Sequence, residues 1–269
     1  MSEEVFKFDF VPVEKCVLCG TVERQEHFSA ETGTGMARLV KCTKCGLVYI
    51  DPAPTQESVR EFYKSVYLTP EYRKHDGARF PDPKSEFVET FFVMEKHLDE
   101  IEEYKTPPGR LLDVGCSHGA LLLEASTRGW AAEGIEPFED GVKFCRDSLG
   151  LNVVQGEFPA DAPPGDSYDV ITMYEVLEHA CDPVGVLKQA AKFAKPDATL
   201  VLTAPNADSP MALVLRGGWV GVKFPTHLQF FNTFTVRRIL ILGGWTPVKV
   251  KSGGAYAGQI LAVARRRPM

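Results

Sequence analysis

The sequence has 269 residues, 44% hydrophobic and 25% charged, and its 30 basic against 36 acidic side chains give a formal net charge of −6. Such a chain makes one large domain, or a domain plus a small module, with enough apolar content for a sizeable core. The acidic balance excludes a protein that coats duplex nucleic acid, which needs a clustered basic face. No uninterrupted apolar run of about 18 residues is present to span a bilayer. The opening MSEEVFKFDF is acidic where a secretory signal is basic and then apolar. The expectation is a soluble, cytoplasmic protein with no membrane partner.

Residues 1–54 read as a small β-rich module carrying two cysteine pairs, Cys16-Val-Leu-Cys19-Gly and Cys42-Thr-Lys-Cys45-Gly. Each CxxC turn converges two thiolates, and the glycine after it suits a knuckle with positive φ. The spacing between the pairs is close to that of four-cysteine zinc sites. Four sulfurs around Zn²⁺ leave no open position, so such a site is structural and not catalytic. With seven cysteines, an odd number, and no export signal, disulfides are not expected. Cys116, Cys145 and Cys181 lie scattered in apolar or helical contexts.

Residues 55–105 read as a helical connector that caps the substrate. Thr55-Gln-Glu-Ser-Val-Arg-Glu-Phe-Tyr63 has a polar start and apolar positions at helical spacing, and 84–104 places Phe87, Phe91, Met94 and Leu98 on one face. Thr106-Pro-Pro-Gly109 ends that helix and opens a domain over 106–269. There, expected strands at 110–114, 131–135, 152–155, 168–173 and 199–203 alternate with helices at 120–128, 139–149 and 183–194. This βα repeat implies a parallel sheet with helices on both faces. A helix capped by Asn232 runs to Leu242, and strands at 247–251 and 259–265 form a closing hairpin at the sheet edge.

Leu111-Leu-Asp-Val-Gly-Cys-Ser-His-Gly119 follows a strand and opens a helix. Its glycines let the backbone approach a ligand beside unpaired N–H groups. The next strand ends in Gly134-Ile-Glu-Pro137, and an acidic residue there suits the two hydroxyls of a ribose. A dinucleotide oxidoreductase needs GxGxxG, and the spacing from Gly115 to Gly119 is wrong for it. No Gly-Lys-Ser/Thr follows, which excludes a P-loop.

Together LLDVGCSHG, GIEP, SYDVITMYEVLEH, TAPN and THLQFF resemble the class I S-adenosylmethionine-dependent methyltransferases. The nearest branch acts on sugars, natural products and quinone-type small molecules, and the resemblance covers about residues 85–265. It implies an α/β, Rossmann-like seven-stranded sheet of order 3-2-1-4-5-7-6 with strand 7 antiparallel, beside the zinc module. It implies that Asp113 and Gly115 shape the methionine pocket of the S-adenosylmethionine site and that Gly119 lies against the cofactor, with Cys116 touching it at most through its backbone. Glu136 would hold the ribose, with Pro137 and Phe138 flanking the adenine. Gly156, Glu157 and Phe158 would hold the adenine edge, Glu157 reading otherwise as a solvated loop carboxylate. Tyr174 and Glu175 would line the floor near the sulfonium. Ser117 replaces the middle glycine of the family's GxGxG and fits there if its φ is negative. His118 reads as a solvent-facing residue at the helix start.

Methyl transfer from a sulfonium is an in-line displacement in which the cofactor carries its own leaving group, so the protein mainly places the nucleophile. A hydroxyl or carbon nucleophile also needs a base. His179, just after strand 4, is the first candidate, because the ordinary histidine range suits a base near neutral pH. His227, within Phe224-Pro-Thr-His-Leu-Gln-Phe-Phe231, is the second. The structural alternatives are a loop-ordering role for His179 and a place at the rim of a hydrophobic plug for His227. Arg216-Gly-Gly-Trp219 reads as a mobile flap. The expected activity is methylation of a small-molecule acceptor, a sugar or secondary metabolite, on oxygen first and on carbon next. The alternative is an RNA or protein methyltransferase gripping its target with the ribbon. That would need a basic stripe which residues 1–54 lack, so nucleic acid is not an expected partner.

Overall fold

A computed structural model of the chain describes residues 6–32, 35–65, 83–163, 167–219, 221–253 and 258–268. The N-terminal part contains β1 (Phe10–Val11), β2 (Arg24–Thr32), β3 (Gly35–Cys42), β4 (Val48–Ile50) and β5 (Ala53–Pro54), then α1 (Gln56–Ser65) and α2 (Pro83–Glu102). The following part begins with β6 (Arg110–Val114), α3 (Ala120–Thr127), β7 (Ala131–Glu136), α4 (Glu139–Lys143), β8 (Asn152–Gln155), β9 (Tyr168–Tyr174) and α5 (Pro183–Phe193). It closes with β10 (Ala194–Pro205), α6 (Pro210–Leu215), β11 (Gln229–Phe230), α7 (Thr233–Leu242), β12 (Trp245–Ser252) and β13 (Gln259–Arg266).

The main sheet has seven strands in the order β12-β13-β10-β9-β6-β7-β8, which is the expected 3-2-1-4-5-7-6 read from the other edge. β13 runs antiparallel to both β10 and β12, and the other pairings are parallel. These strands are apolar on both faces because helices cover both, so the run from Tyr168 to Met173 is buried throughout. Alternation along each strand feeds two core layers. Leu112, Ile171 and Leu200 meet Leu187, Ile239 and Trp245 on one face. Leu111, Val170 and Val201 meet Leu98, Ile101 and Leu121 on the other.

The N-terminal strands β2, β3 and β4 form an antiparallel meander whose fourth strand comes from far along the chain. β11 pairs with β4 through Gln229–Tyr49 and Phe230–Val48. One face of this small sheet, with Cys16, Cys42, Cys45 and Tyr49, joins the first core layer of the main sheet. The other face buries Leu39, Val48 and Phe230 against Ala212, Trp219 and Phe224. The 216–219 stretch is therefore not a free flap: Arg216–Gly218 is a 3₁₀ turn that delivers a buried Trp219 to this small core. α2 is tied to the main domain by ion pairs from Arg128 to Asp99 and Glu102 and from Lys249 and Lys251 to Glu100. The helix expected over 139–149 is α only to Lys143 and widens to a π turn at Phe144–Ser148. That turn seats Cys145 where a Cβ on Gly119 would come within 2.8 Å of its sulfur. Among the described residues no helix is long and apolar enough to cross a membrane.

Candidate active site

The loop between β6 and α3 carries three left-handed residues, Gly115 at φ 73°, Ser117 at φ 48° and Gly119 at φ 76°. The negative φ expected at Ser117 is thus not what the loop adopts. A non-glycine residue there costs on the order of 1–2 kcal/mol, and local bonds offset it. The Ser117 N–H donates to Glu136 Oε2 at 2.8 Å, and its hydroxyl reaches Glu86 Oε1 at 3.3 Å and His118 Nδ1 at 3.1 Å. His118, expected in solvent, is buried, because Glu86 of α2 lies 3.4 Å from its Nδ1 and the Phe144 ring meets it edge-on. Cys116 is core as expected, and its hydrogen bond with Cys145 together with burial pushes its thiol well above the ordinary range.

Two buried carboxylates flank this loop. Asp113, next to last in β6, accepts from Thr172 Oγ1 at 2.6 Å. Glu136 ends β7 and accepts from Ser117 and from the Phe138 N–H, the latter at 3.1 Å. Burial raises each to about 7, although the hydroxyl and N–H donors pull the other way. Pro137 beside them is exposed. Gly156 donates its N–H to the Glu136 carbonyl at 3.0 Å. Glu157 is gripped by Arg60 of α1, with Nε–Oε1 at 2.8 Å and Nη2–Oε2 at 3.0 Å. The Phe158 ring packs on Phe193 of α5 with centroids 5.4 Å apart.

Tyr174 closes β9 with its ring 4.4 Å from that of His97, and its buried hydroxyl has no hydrogen-bond partner among the described residues. Glu175, at φ 55°, accepts from Gln259 Nε2 at 3.2 Å. The fully buried Glu178 lies beside it, and among the described residues neither of its oxygens meets a donor unless one of the two carboxyls is protonated. Burial, then repulsion by Glu175, pushes Glu178 well above the carboxylate range.

The two candidate histidines, distant in sequence, meet edge-to-face with centroids 4.6 Å apart. Tyr63 Oη lies 2.7 Å from His179 Nδ1, and His227 Nδ1 donates to the Gly221 carbonyl at 3.0 Å. Polar atoms of Glu178, His179 and His227 all lie within 4.8 Å of one another. Burial lowers His179 to about 4 and takes His227 well below the ordinary value, with His179 and Lys223 adding to the latter effect. Both rings are neutral at pH 7, so the ordinary histidine range does not apply here. Tyr63, Arg60, His97 and Gln259 carry no sequence signal for this site, since only the docking of α1, α2 and β13 brings them to it.

In the N-terminal module the four expected cysteines converge, with all four sulfurs within 4.8 Å of one another. Cys16–Cys45 and Cys19–Cys42 sulfurs are each 3.5 Å apart, near the edge of about 3.8 Å that follows from tetrahedral Zn–S bonds of about 2.3 Å. Gly20 and Gly46 take the positive φ expected of the knuckles, 71° and 77°. Burial raises the Cys42 thiol, but N–H and S–H donors at Cys45 outweigh it and bring the group to about 7.

A family profile described as a methyltransferase domain matches residues 87–250. The chain belongs to the methyltransferase domain family. Ubiquinone biosynthesis O-methyltransferases from Methylococcus capsulatus and Hahella chejuensis are 34% and 35% identical to it over 137 and 136 residues. Each of these alignments covers 48% of this chain and 57% of the relative, so the chain spans little more than half of the curated relatives it matches. Among solved structures, the 1,6-didemethyltoxoflavin-N1-methyltransferase of Burkholderia thailandensis aligns with TM-score 0.57 at 16% identity, covering 84% of this chain and 97% of that one. That likeness is one of fold. In this methyltransferase domain the loop 113–119, Glu136, Tyr174 and the 175–179 turn lie at the C-terminal ends of adjacent parallel strands, where ligand crevices of α/β sheets open.

Proposed function

We propose that the chain transfers a methyl group from S-adenosylmethionine to an oxygen of a small-molecule acceptor and holds one structural Zn²⁺ through Cys16, Cys19, Cys42 and Cys45. The observation that carries this reading is the pair of buried carboxylates, Asp113 and Glu136, on either side of a left-handed loop and with no Lys or Arg ion pair among the described residues. Such groups fit hydroxyl and ammonium donors of a ligand better than they fit an empty crevice. Glu136, with one N–H on each oxygen, keeps acceptor capacity for a ribose diol. Asp113 and the backbone of Gly115, Cys116 and Gly119 face the amino-acid end. Pro137, Phe138, Gly156, Glu157 and Phe158 surround the adenine, Glu157 with its charge matched by Arg60. Tyr174, whose hydroxyl has no partner among the described residues, and Glu175 close the floor.

The bound cofactor supplies an electrophilic methyl and its own leaving group. The chain orients the acceptor and takes its proton, and His179 with His227 forms a neutral pair suited to that task. The names of the sequence relatives support oxygen as the methylated atom and a small molecule as the acceptor. Residues 1–54 then serve as zinc module, 55–105 as connector and acceptor cap, and 106–269 as cofactor domain.

Titration calorimetry with S-adenosylhomocysteine tests the cofactor site. Glu136→Ala is expected to weaken binding by about 1–3 kcal/mol, the cost of losing hydrogen bonds to a charged group. An unchanged dissociation constant places the ribose elsewhere. Elemental analysis is expected to find one zinc per chain, and metal-free native protein removes the second half of the proposal.

A further inference from the structure

Tyr63 lies on α1, outside the stretch matched by the family, yet its hydroxyl is 2.7 Å from Nδ1 of His179. Contacts made by Arg60, Phe62 and Tyr63 hold α1 in that place. Arg60, one turn earlier on the same face, clasps Glu157 after β8 with two nitrogens at 2.8 and 3.0 Å. The buried Phe62 packs against Phe6 and Phe8 with centroids 5.4 and 4.9 Å away. The Tyr63 ring meets Phe138 at 5.5 Å, the residue whose N–H is bound by Glu136. Tyr63 therefore bridges Phe138, on the side proposed for the adenine, and His179, on the side proposed for the acceptor.

Of the two histidines, His179 has both ring nitrogens engaged and His227 has one. His179 has Nδ1 against Tyr63 and a further hydrogen bond to the Thr226 backbone. His227 has Nδ1 against the Gly221 carbonyl and its ring against His179. With Nδ1 of both rings engaged, the phenol is the group through which a proton reaches His179 Nδ1. We propose that Tyr63 is a catalytic residue, its hydroxyl receiving the acceptor's proton while passing its own to Nδ1 of His179. This rests on the methyl-transfer reading above.

The step balances without a free phenolate. The acceptor O–H bond breaks and its proton joins Tyr63 Oη, as the Tyr63 O–H bond breaks and its proton joins His179 Nδ1. The acceptor oxygen forms its bond to the methyl carbon, and the electron pair of the broken C–S bond stays on sulfur. Tyr63 ends as it began, and His179 carries one proton that it returns to water.

The test uses the full chain with 3,4-dihydroxybenzoate as acceptor probe, comparing Tyr63→Phe, His179→Gln and the double variant. Tyr63→Phe keeps the ring and its packing, and is expected to bind S-adenosylhomocysteine within about two-fold of wild type. Each single variant is expected to lose about 10²–10⁴-fold in kcat, the range of proton transfer by a positioned group. The double variant should lose no more than the worse single one, because the two act as a unit. Losses that multiply, a Tyr63→Phe variant with wild-type kcat, or one whose cofactor affinity collapses, each overturn the relay. In parallel, ¹⁵N spectra of histidine-labelled protein should show the His179 Nδ1 resonance moving toward that of an unbonded imine nitrogen in Tyr63→Phe. If wild type binds S-adenosylhomocysteine but leaves the probe unmethylated, this shift decides, and an unmoved resonance overturns the pairing. If wild type fails to bind S-adenosylhomocysteine, the methyltransferase reading itself has failed, and the relay falls with it.

Discussion

Asp113 is a carboxylate held by a hydroxyl where most buried carboxylates find a cation, and pH should expose the consequence. In the unfolded chain it releases its proton near 3.8, whereas burial in the fold holds that proton until about 7. Between those values the folded state binds more protons, so this group's contribution to stability falls as pH rises and levels off above 7. Glu136 acts in the same direction from 4.5 to about 7. His179 and His97, both lowered by burial to about 4, act the opposite way and remove stability as pH falls below 6.5. A comparison of variants separates these trends. Asp113→Asn retains an acceptor for the Thr172 hydroxyl and abolishes the titration. Its calorimetric stability relative to wild type, without ligand, should improve by about 2–3 kcal/mol between pH 5 and pH 8. A difference that stays constant with pH means that Asp113 does not titrate in this window. Glu157 and Arg60 show the converse case, a half-exposed pair that neutralises itself.

At the scale of elements, close approach of β7 to the glycine loop explains a residue whose sequence context pointed only to its acidic neighbour. A Cβ on Gly134 would lie 2.6 Å from Cys116 Sγ and 2.6 Å from Leu122 Cδ1, and both side chains are buried. Gly134→Ala should therefore cost about 1–3 kcal/mol, the usual penalty of overpacking. Thermal or urea unfolding checks this, and wild-type stability would show that α3 shifts freely over the sheet. The helix starts behave more locally. Asn232 caps α7 as its type suggests, accepting from the Thr235 N–H at 2.8 Å while its own N–H donates to Thr235 Oγ1 at 2.8 Å. The π turn at Phe144–Ser148 has no such local cause, since what it accommodates is Cys145 against Gly119.

At the scale of the whole molecule, the cysteine cluster and the histidine pair are connected by main chain. The Ile50 N–H donates to the Leu228 carbonyl at 3.1 Å, and the Leu228 N–H donates to the Glu178 carbonyl at 2.7 Å. Leu228 follows His227, and Glu178 precedes His179. If the proposed zinc holds the β2–β4 meander, its removal should loosen β11 and both histidines while the main sheet persists. Hydrogen exchange after chelation should then rise at the Ile50 and Leu228 amides, with Val170 and Leu200 still protected. Metal loss that leaves Leu228 protected would show that β11 holds its place unaided.

The sequence by itself determined the positions of the strands, the cysteine quartet and the acidic residue after β7, and the order of the seven strands came with the family resemblance. Buried parallel strands need unbroken apolar runs, and CxxC knuckles and helix caps are set within a few residues. The tertiary structure decided what depends on segments far apart in the chain. The φ of Ser117 follows from bonds to Glu86 and Glu136, and the burial of His118 from α2 closing over it. The fourth strand of the N-terminal sheet comes from residues 229–230, which no local pattern ties to the cysteines. The meeting of Tyr63, His179 and His227 comes from the docking of segments far apart in the chain, and the low proton affinity of both rings from the desolvation that this docking brings. Desolvation is a property of how the chain closes on itself, and a linear pattern of residue types does not encode it.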